Sequence, residues 1–183
     1  MRPLFFFEDI RSPMRKDLFT VAGVRVQSTR YAWLAVPNWI GFGLFIAFVG
    51  RSDSSHFVPT GLLYGAFLYL ANVIHSLGHI IAGKIVQSPM DILLLTATRD
   101  VTLYLKDQAT YPAGKRIRRS LGGPISNLAA GLVGLGMTAL FRTAWLEIFA
   151  IANLGAGLWT LCPVPTMDGW VIWSTLLSHR QTR

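Results

Sequence analysis

The sequence predicts an α-helical integral membrane protein with about four transmembrane helices. A small β-hairpin or sheet is predicted between the second and third helices, on the cytoplasmic side. Hydrophobic residues make up 52% of the 183 residues and charged residues only 14%, whereas about a quarter of a soluble domain is charged. The mean hydropathy is +0.44. The charged residues lie mainly between long apolar stretches, which have the length of bilayer spans.

The N-terminal residues 1–30 mix aromatic and basic side chains, and we predict a cytoplasmic or interfacial tail on the membrane surface. A partly ordered tail without a membrane role is the alternative. Residues 31–183 are predicted to form a single membrane domain. Its first span is the uncharged stretch 31–50, and a polar loop at 51–59 leads to a second span at about 59–86.

A polar excursion follows the second span at residues 87–120. Strand-forming residues are concentrated at 91–98 and 101–105, and Arg99 and Asp100 lie between them like a turn, so a β-hairpin is predicted. The excursion ends in a basic cluster that we interpret as an anchor to headgroups at the interface. Its members are Lys115, Arg116, Arg118 and Arg119.

Two more spans and a short helix complete the predicted membrane domain. The third span is expected at about 121–141 and the fourth at about 144–162, followed by a proline-broken turn and a helix at 170–178. Basic residues are concentrated in 1–30 and 84–120, so the positive-inside rule places both termini and the second of these segments in the cytoplasm. We therefore expect a multi-pass protein of a membrane such as the bacterial inner membrane.

The net charge of +8 follows from this topology. Basic residues between apolar spans contact anionic lipid headgroups and orient the chain. The lipid bilayer is therefore the expected partner of these charges, and no nucleic-acid partner is predicted.

Two histidines in the second predicted span have the spacing of metal ligands on a helix. His75 and His79 are four residues apart, so on a helix both imidazoles lie over one face. Asp168 is the only acidic residue among the last 36 positions, and the predicted topology brings it to the same depth. Two imidazoles and one carboxylate can bind zinc and leave a fourth position for water. Histidines that only pack or hydrogen-bond are the alternative.

Three segments, taken in order, resemble motifs of the site-2 protease family of intramembrane zinc metalloproteases. The string HSLGH at 75–79 resembles the family's HExxH helix, and GGPISNL at 122–128 resembles its G-P-x-x-N segment. The stretch 153–169, which ends in PVPTMDG, resembles the family's N-x-x-P-x-P-x-x-D-G ending. The predicted hairpin also lies where that family has a membrane-associated sheet. The resemblance covers about residues 57–178.

The resemblance implies roles for individual residues. The implied zinc ligands are His75, His79 and Asp168. Asn127 would lie near the site and help to polarise a substrate carbonyl. The sheet region, with Val101 and Leu103, would guide a substrate made extended by local unwinding. Thr160 stands where the family usually has asparagine and can still donate a hydrogen bond to the substrate. The substrate would be a transmembrane helix, cut near the cytoplasmic face.

Ser76 departs from the family pattern, because it occupies the position of the general base. Zinc lowers the pKa of its water, but proton delivery to the leaving amine still needs an acid–base group, commonly worth roughly 10²–10⁴ in rate. Asp91 or Asp100 would have to fold back from the loop to replace that group. We therefore expect a slow or inactive pseudoprotease that binds a partner's transmembrane helix.

Two alternatives remain open. One is an active intramembrane zinc metalloprotease that uses another base. The other is a structural or assembly subunit of a larger membrane complex. In that case His75 or His79 would ligate a tetrapyrrole such as haem or a pigment, and Gly78 would allow its close approach.

Overall fold

The computed structural model of the protein describes residues 15–50, 55–105 and 111–181, with side chains up to residue 178. This part of the chain forms six α-helices and one four-stranded sheet, and a single 3-10 turn precedes the first helix. The elements in chain order are β1 (Lys16–Val21), β2 (Val24–Ser28), α1 (Ala35–Val49), α2 (Phe57–Ile85), β3 (Ile92–Leu95), β4 (Asp100–Leu103), α3 (Ala113–Ser120), α4 (Gly122–Phe141), α5 (Ala144–Thr160) and α6 (Asp168–Gln181).

Three helical stretches of the described residues are long and apolar enough to cross a membrane: Ala32–Val49, Phe57–Ile85 and Ala113–Phe141. The third stretch joins α3 and α4. The fourth predicted span corresponds to α5, which has 17 residues and is not among these three. Large apolar side chains such as Phe48 and Leu140 are 72% and 78% exposed. Their exposure fits a protein whose helices face the hydrocarbon of a bilayer.

Helix α2 packs against α1, α4 and α5. Small residues let these helices approach closely, as is common in membranes. Gly43 of α1 faces the backbone of Gly61 and Gly65 on α2, and Gly78, further along α2, faces Gly122 of α4. A side chain at any of these positions would collide with the neighbouring helix.

The four strands form one sheet in the order β1-β2-β3-β4. β1 pairs antiparallel with β2, β2 pairs parallel with β3, and β3 pairs antiparallel with β4. The hairpin expected within 87–120 is therefore present, but its turn lies earlier than predicted. Asp100 is the first residue of β4, where it pairs with Leu95, and is not part of the turn.

Residues 16–28 form strands β1 and β2, which corrects the prediction of a surface tail for this segment. Residues 1–14 of the predicted tail lie outside the described residues. Between the two strands, Ala22 and Gly23 both have positive φ, at 53° and 82°, as the favoured two-residue hairpin turn requires. The physical reason for the strands is the parallel pairing of β2 with β3, which is distant in sequence, while β1 pairs with β2 alone.

A buried apolar cluster connects the sheet to α2. Val24 and Val26 of β2 and Leu93 of β3 pack with Ile80 of α2 and with Met90. Burial of each such side chain contributes about 1.5–3 kcal/mol relative to exposure. The sheet is therefore fixed to the end of α2 that carries the two histidines.

We expect Gly43→Ala to destabilise the helix bundle by about 1–3 kcal/mol, because its Cβ would lie 2.8 Å from Gly65 Cα. Gly41→Ala is the matched control on the same helix, since a Cβ there would meet nothing within 4 Å. Thermal unfolding in detergent measures both variants. Equal Tm values would show that α1 and α2 do not pack through Gly43.

Candidate metal centre

His75 and His79 lie one turn apart on α2, and Asp168 faces them from the first turn of α6. The two histidine Nε2 atoms are 3.0 Å apart, and they lie 3.0 and 3.2 Å from Oδ2 and Oδ1 of the carboxylate, respectively. Three donor atoms on one tetrahedral zinc ion at about 2.0–2.2 Å would lie roughly 3.3 Å from one another. The structure thus brings the three predicted ligands together at the spacing that one ion needs.

The hydrogen bonds of His79 show why the cluster fits a cation. His79 Nδ1 is 3.0 Å from the backbone oxygen of Arg119, and Nδ1 carries the hydrogen because a carbonyl oxygen can only accept. In the neutral imidazole the lone pair is then on Nε2, which faces His75 Nε2 and the Asp168 carboxylate. Electron-rich atoms this close repel one another unless a cation or proton lies between them. Metal-bound histidines usually donate their outer N–H in this way.

The connection between α5 and α6 determines the position of Asp168. Pro163 and Pro165 prevent α5 from continuing, and α6 begins at Asp168, earlier than the predicted start at residue 170. A carboxylate in the first turn of a helix is stabilised by the helix dipole. Gly169 lies directly against the backbone of Leu161, so the lack of a side chain there lets α6 begin this close to the end of α5.

Helix α4 covers the histidine pair through Gly123. A Cβ at this position would lie 2.5 Å from His75 Nε2 and 2.6 Å from His79 Nε2, so the missing side chain leaves the space in which the two rings meet.

Gly78 of α2 also faces α4 closely, and a Cβ at Gly78 would lie 2.7 Å from the Cβ of Ser126. Because α4 fills the space beside Gly78, a flat macrocycle has no room there. The close approach to Gly78 that the tetrapyrrole alternative assigns to a macrocycle is thus made by α4.

Asn127 lies on α4, one turn after the glycine that covers the histidines. Its side chain is fully buried, and neither amide atom has a hydrogen-bond partner among the described residues. A buried unpaired amide is costly, so Asn127 is a candidate to bind a group that enters the site. The side chain of Thr160, unlike that of Asn127, already has hydrogen-bond partners. Its hydroxyl donates within its own helix to the carbonyl oxygens of Ala156 and Gly157.

Val101 and Leu103 lie on β4, and both are half-buried. β4 is an edge strand of the described sheet, with β3 on one side only. An extended peptide can add to an edge of this kind through backbone hydrogen bonds. Val101 and Leu103 thus lie on an edge strand, and no hydrogen bond links either residue to the histidine cluster.

Ser76 contacts a carboxylate that belongs to the hairpin. Asp100 Oδ2 accepts hydrogen bonds from Ser76 Oγ and from Asn72 Nδ2, both at 2.9 Å. Asp100 therefore reaches Ser76, the position of the missing base, and it begins β4 instead of lying in the turn as predicted. Two polar residues one turn apart on an apolar helix are the signal that could have revealed it. The other loop carboxylate, Asp91, instead accepts from the backbone N–H of Leu105.

Arg119 is also more than the interfacial anchor that the sequence predicted. Its side chain is 4% exposed, it donates to Ser88 Oγ at 3.0 Å, and its guanidinium carbon lies 3.8 Å from the ring centre of Tyr104. Hydrogen bonding and the cation–π contact offset the cost of burying the charge. Through its backbone oxygen, the same residue fixes the orientation of His79.

Comparisons with known proteins identify the fold. No family model matches the chain, and no curated protein matches it. A solved structure, the site-2 protease from Methanocaldococcus jannaschii, superimposes with a TM-score of 0.64 at 22% sequence identity. The superposition covers 90% of this chain and 72% of that protein. The fold is therefore that of a site-2 protease: a mostly helical, membrane-type bundle with a small sheet.

Gly123→Ala should lower the zinc content of the purified protein, because the added Cβ would occupy the space between the two imidazoles. Gly136→Ala on the same helix is the matched control, since a Cβ there would meet nothing within 4 Å. Elemental analysis of the detergent-purified variants measures the difference, and circular dichroism checks that both fold. Equal zinc content in the two variants would contradict the packing of α4 over the histidines.

Proposed function

We propose that this protein is an intramembrane zinc metallopeptidase of the site-2 protease type. The observation that carries the proposal is the convergence of ligand atoms from His75, His79 and Asp168 within 4.8 Å of one another, on a fold shared with a site-2 protease. Zinc in this position would supply a Lewis acid for a carbonyl group and a water with a pKa near 7.

The proposed substrate is a transmembrane helix of a partner membrane protein, made extended near the cluster. The unpaired amide of Asn127 supports this assignment, because it can donate to a substrate carbonyl oxygen. The edge of β4 supports it as well, because no strand of the described residues pairs with the side of β4 away from β3, and an extended chain can pair there. Thr160 has less support as a substrate-binding residue, since its hydroxyl is bonded within α5.

For the membrane arrangement we propose four spans, with α5 as the fourth and both termini in the cytoplasm of a bacterium. α5 has 17 residues, and Glu147 in its first turn is the only charged one, so it meets the lower limit for a span. The concentration of basic residues in 1–30 and 84–120 supports the orientation. In this arrangement the histidine cluster and the sheet lie towards the cytoplasmic face.

Ser76 favours a second candidate function, a catalytically impaired relative that binds zinc and a partner's helix without cutting it. The reason is the loss of the carboxylate that the HExxH pattern places beside the first histidine. Asp100, whose carboxylate oxygen is 2.9 Å from Ser76 Oγ, favours the active enzyme, because it supplies a carboxylate next to that position.

The metal site is tested by zinc content. The wild-type protein should contain about one zinc per chain, and His79→Ala and Asp168→Asn should each lose most of it, because even outer-shell changes cost roughly 10–100-fold in metal affinity. His56→Ala is the matched control, since His56 is exposed and directly precedes the N-terminal end of α2, whereas His75 and His79 lie towards the C-terminal end. Absence of zinc from a folded wild-type protein would overturn the proposal. A visible absorption band that is present in the wild type and lost in His79→Ala would support the tetrapyrrole alternative.

Peptidase activity is tested on single-span membrane proteins labelled at both ends of the span and mixed with the enzyme in detergent. The wild-type protein should cleave such a substrate within or beside its span, and chelation of zinc should abolish the cleavage. Mass spectrometry of the products locates the cut. A zinc-loaded wild-type protein that cleaves no faster than His79→Ala would support the impaired relative over the enzyme.

A further inference from the structure

We propose that Asp100 is the proton-transferring residue of this site, held by Ser76 and Asn72 in the role of the glutamate that the HExxH pattern has at position 76. The inference rests on the proposed metallopeptidase function. It assigns a catalytic task to a residue outside the three motifs that carry the sequence resemblance.

The position of the carboxylate is the first support. With a hydrogen bond of 2.9 Å between Ser76 Oγ and Asp100 Oδ2, the carboxylate oxygen lies at most about 5.3 Å from Ser76 Cα. A glutamate at position 76 would place its own carboxylate oxygens roughly 4 to 5 Å from the same Cα. Asp100 thus brings an equivalent group to nearly the same distance from α2, beside His75.

The hydrogen bonding of Asp100 is the second support. Ser76 and Asn72 both donate to Oδ2, and Oδ1 accepts no hydrogen bond from any residue in the described ranges. One oxygen is therefore fixed, and the other is available to a proton donor. Burial raises the pKa of Asp100, while the hydrogen bonds from Ser76 and Asn72 act in the opposite direction. A carboxyl group with a raised pKa is better suited to accept and release a proton near neutral pH.

The attachment of the hairpin is the third support, because a proton-transfer group must be held in position. Asn38 of α1 donates to the carbonyl oxygen of Ala97 in the turn at 2.7 Å. Arg99 donates to Thr166 Oγ1 at 2.8 Å, which ties the turn to the segment that precedes Asp168. The turn before Asp100 is thus fastened both to a neighbouring helix and to the loop that positions the carboxylate ligand.

In the proposed reaction Asp100 accepts one proton from the attacking water as the water oxygen bonds to the scissile carbonyl carbon. The carbon–nitrogen bond then breaks, and the same proton passes from Asp100 to the leaving nitrogen. The new carboxylic acid loses its proton to the new amine, so the products are a carboxylate and an ammonium group. Asp100 ends the cycle as a carboxylate, and no other reactant is consumed.

A purely structural role for Asp100 is the competing explanation, because its hydrogen bonds also fasten β4 to α2. Asp100→Asn separates the two roles. An asparagine keeps an oxygen that can accept from Ser76 and Asn72, but it removes the negative charge and the ability to hold a proton. Asp91→Asn is the matched control, since that carboxylate lies directly before β3 and, among the described residues, accepts only from the backbone N–H of Leu105.

The first experiment uses cobalt(II) in place of zinc and requires no substrate. Visible absorption of the cobalt-loaded protein is followed from pH 5 to 9 for the wild type and both variants. We expect the midpoint of the spectral change to fall by roughly one pH unit in Asp100→Asn, because a neighbouring anion opposes proton release at the site. The midpoint of Asp91→Asn should match that of the wild type.

Superimposable titrations of the wild type and Asp100→Asn, with cobalt bound in both, would overturn the role of Asp100 and leave the metal site intact. Failure of the wild type to bind cobalt or zinc would instead overturn the proposed function itself. The two failures are therefore distinguishable.

The second experiment measures cleavage of the doubly labelled membrane substrate. Asp100→Asn should reduce the rate by roughly 10²–10⁴-fold at unchanged zinc content, and Ser76→Glu combined with Asp100→Asn should recover at least tenfold of that loss. Ser76→Glu alone places two carboxylates together and should be less active than the combined variant. Retention of the wild-type rate by Asp100→Asn would overturn the proposal. If Asp100→Asn does not fold, Ser76→Ala takes its place, because it leaves Asp100 intact and removes one hydrogen bond that holds the carboxylate; a wild-type rate in Ser76→Ala would overturn the proposal.

Discussion

The packing of this protein is organised around three electron-rich groups that face one another on an apolar helix bundle. Two imidazole nitrogens and a carboxylate lie 3.0 to 3.2 Å apart, a spacing that a water-poor site tolerates only with a cation or proton among them. Several features of the chain serve this cluster. Gly123 leaves space for the rings, Gly169 allows α6 to begin beside α5, and the carbonyl of Arg119 orients one ring. A cluster of this kind needs such support because its members do not attract one another unaided.

The ligand set could be predicted because its signals are local. The four-residue spacing of His75 and His79 defines one face of a helix without any knowledge of the fold. Asp168 could be found because it is the single acidic residue in a long C-terminal stretch. Helix periodicity and the apolar composition of the spans likewise depend only on neighbouring residues, so the positions of the main helices agree closely with the expectation.

The contacts that could not be predicted are those between segments distant in sequence. Side chains alternate along a strand, so an error of one residue in the position of a turn changes the face on which a side chain lies. With Arg99 and Asp100 placed in the turn, Asp100 points to solvent, but as the first residue of β4 it contacts α2. The strands at 16–28 could not be predicted for a similar reason. They are stabilised by parallel pairing of β2 with β3, and a short strand gives no sign in the sequence of such a partner.

The placement of Asp100 changes how ligand binding and proton transfer are related in the proposed enzyme. In an HExxH helix the general base and two metal ligands lie on one rigid helix, so a displacement of the helix moves all three groups together. Here the carboxylate arrives on a hairpin that is fastened to α1 through Asn38 and to the loop before Asp168 through Arg99. The metal ligands and the proton-transfer group are thus held by different elements. Since β4 of the same hairpin is also an edge strand of the described sheet, binding of an extended substrate along β4 would act directly on the position of the acid–base group.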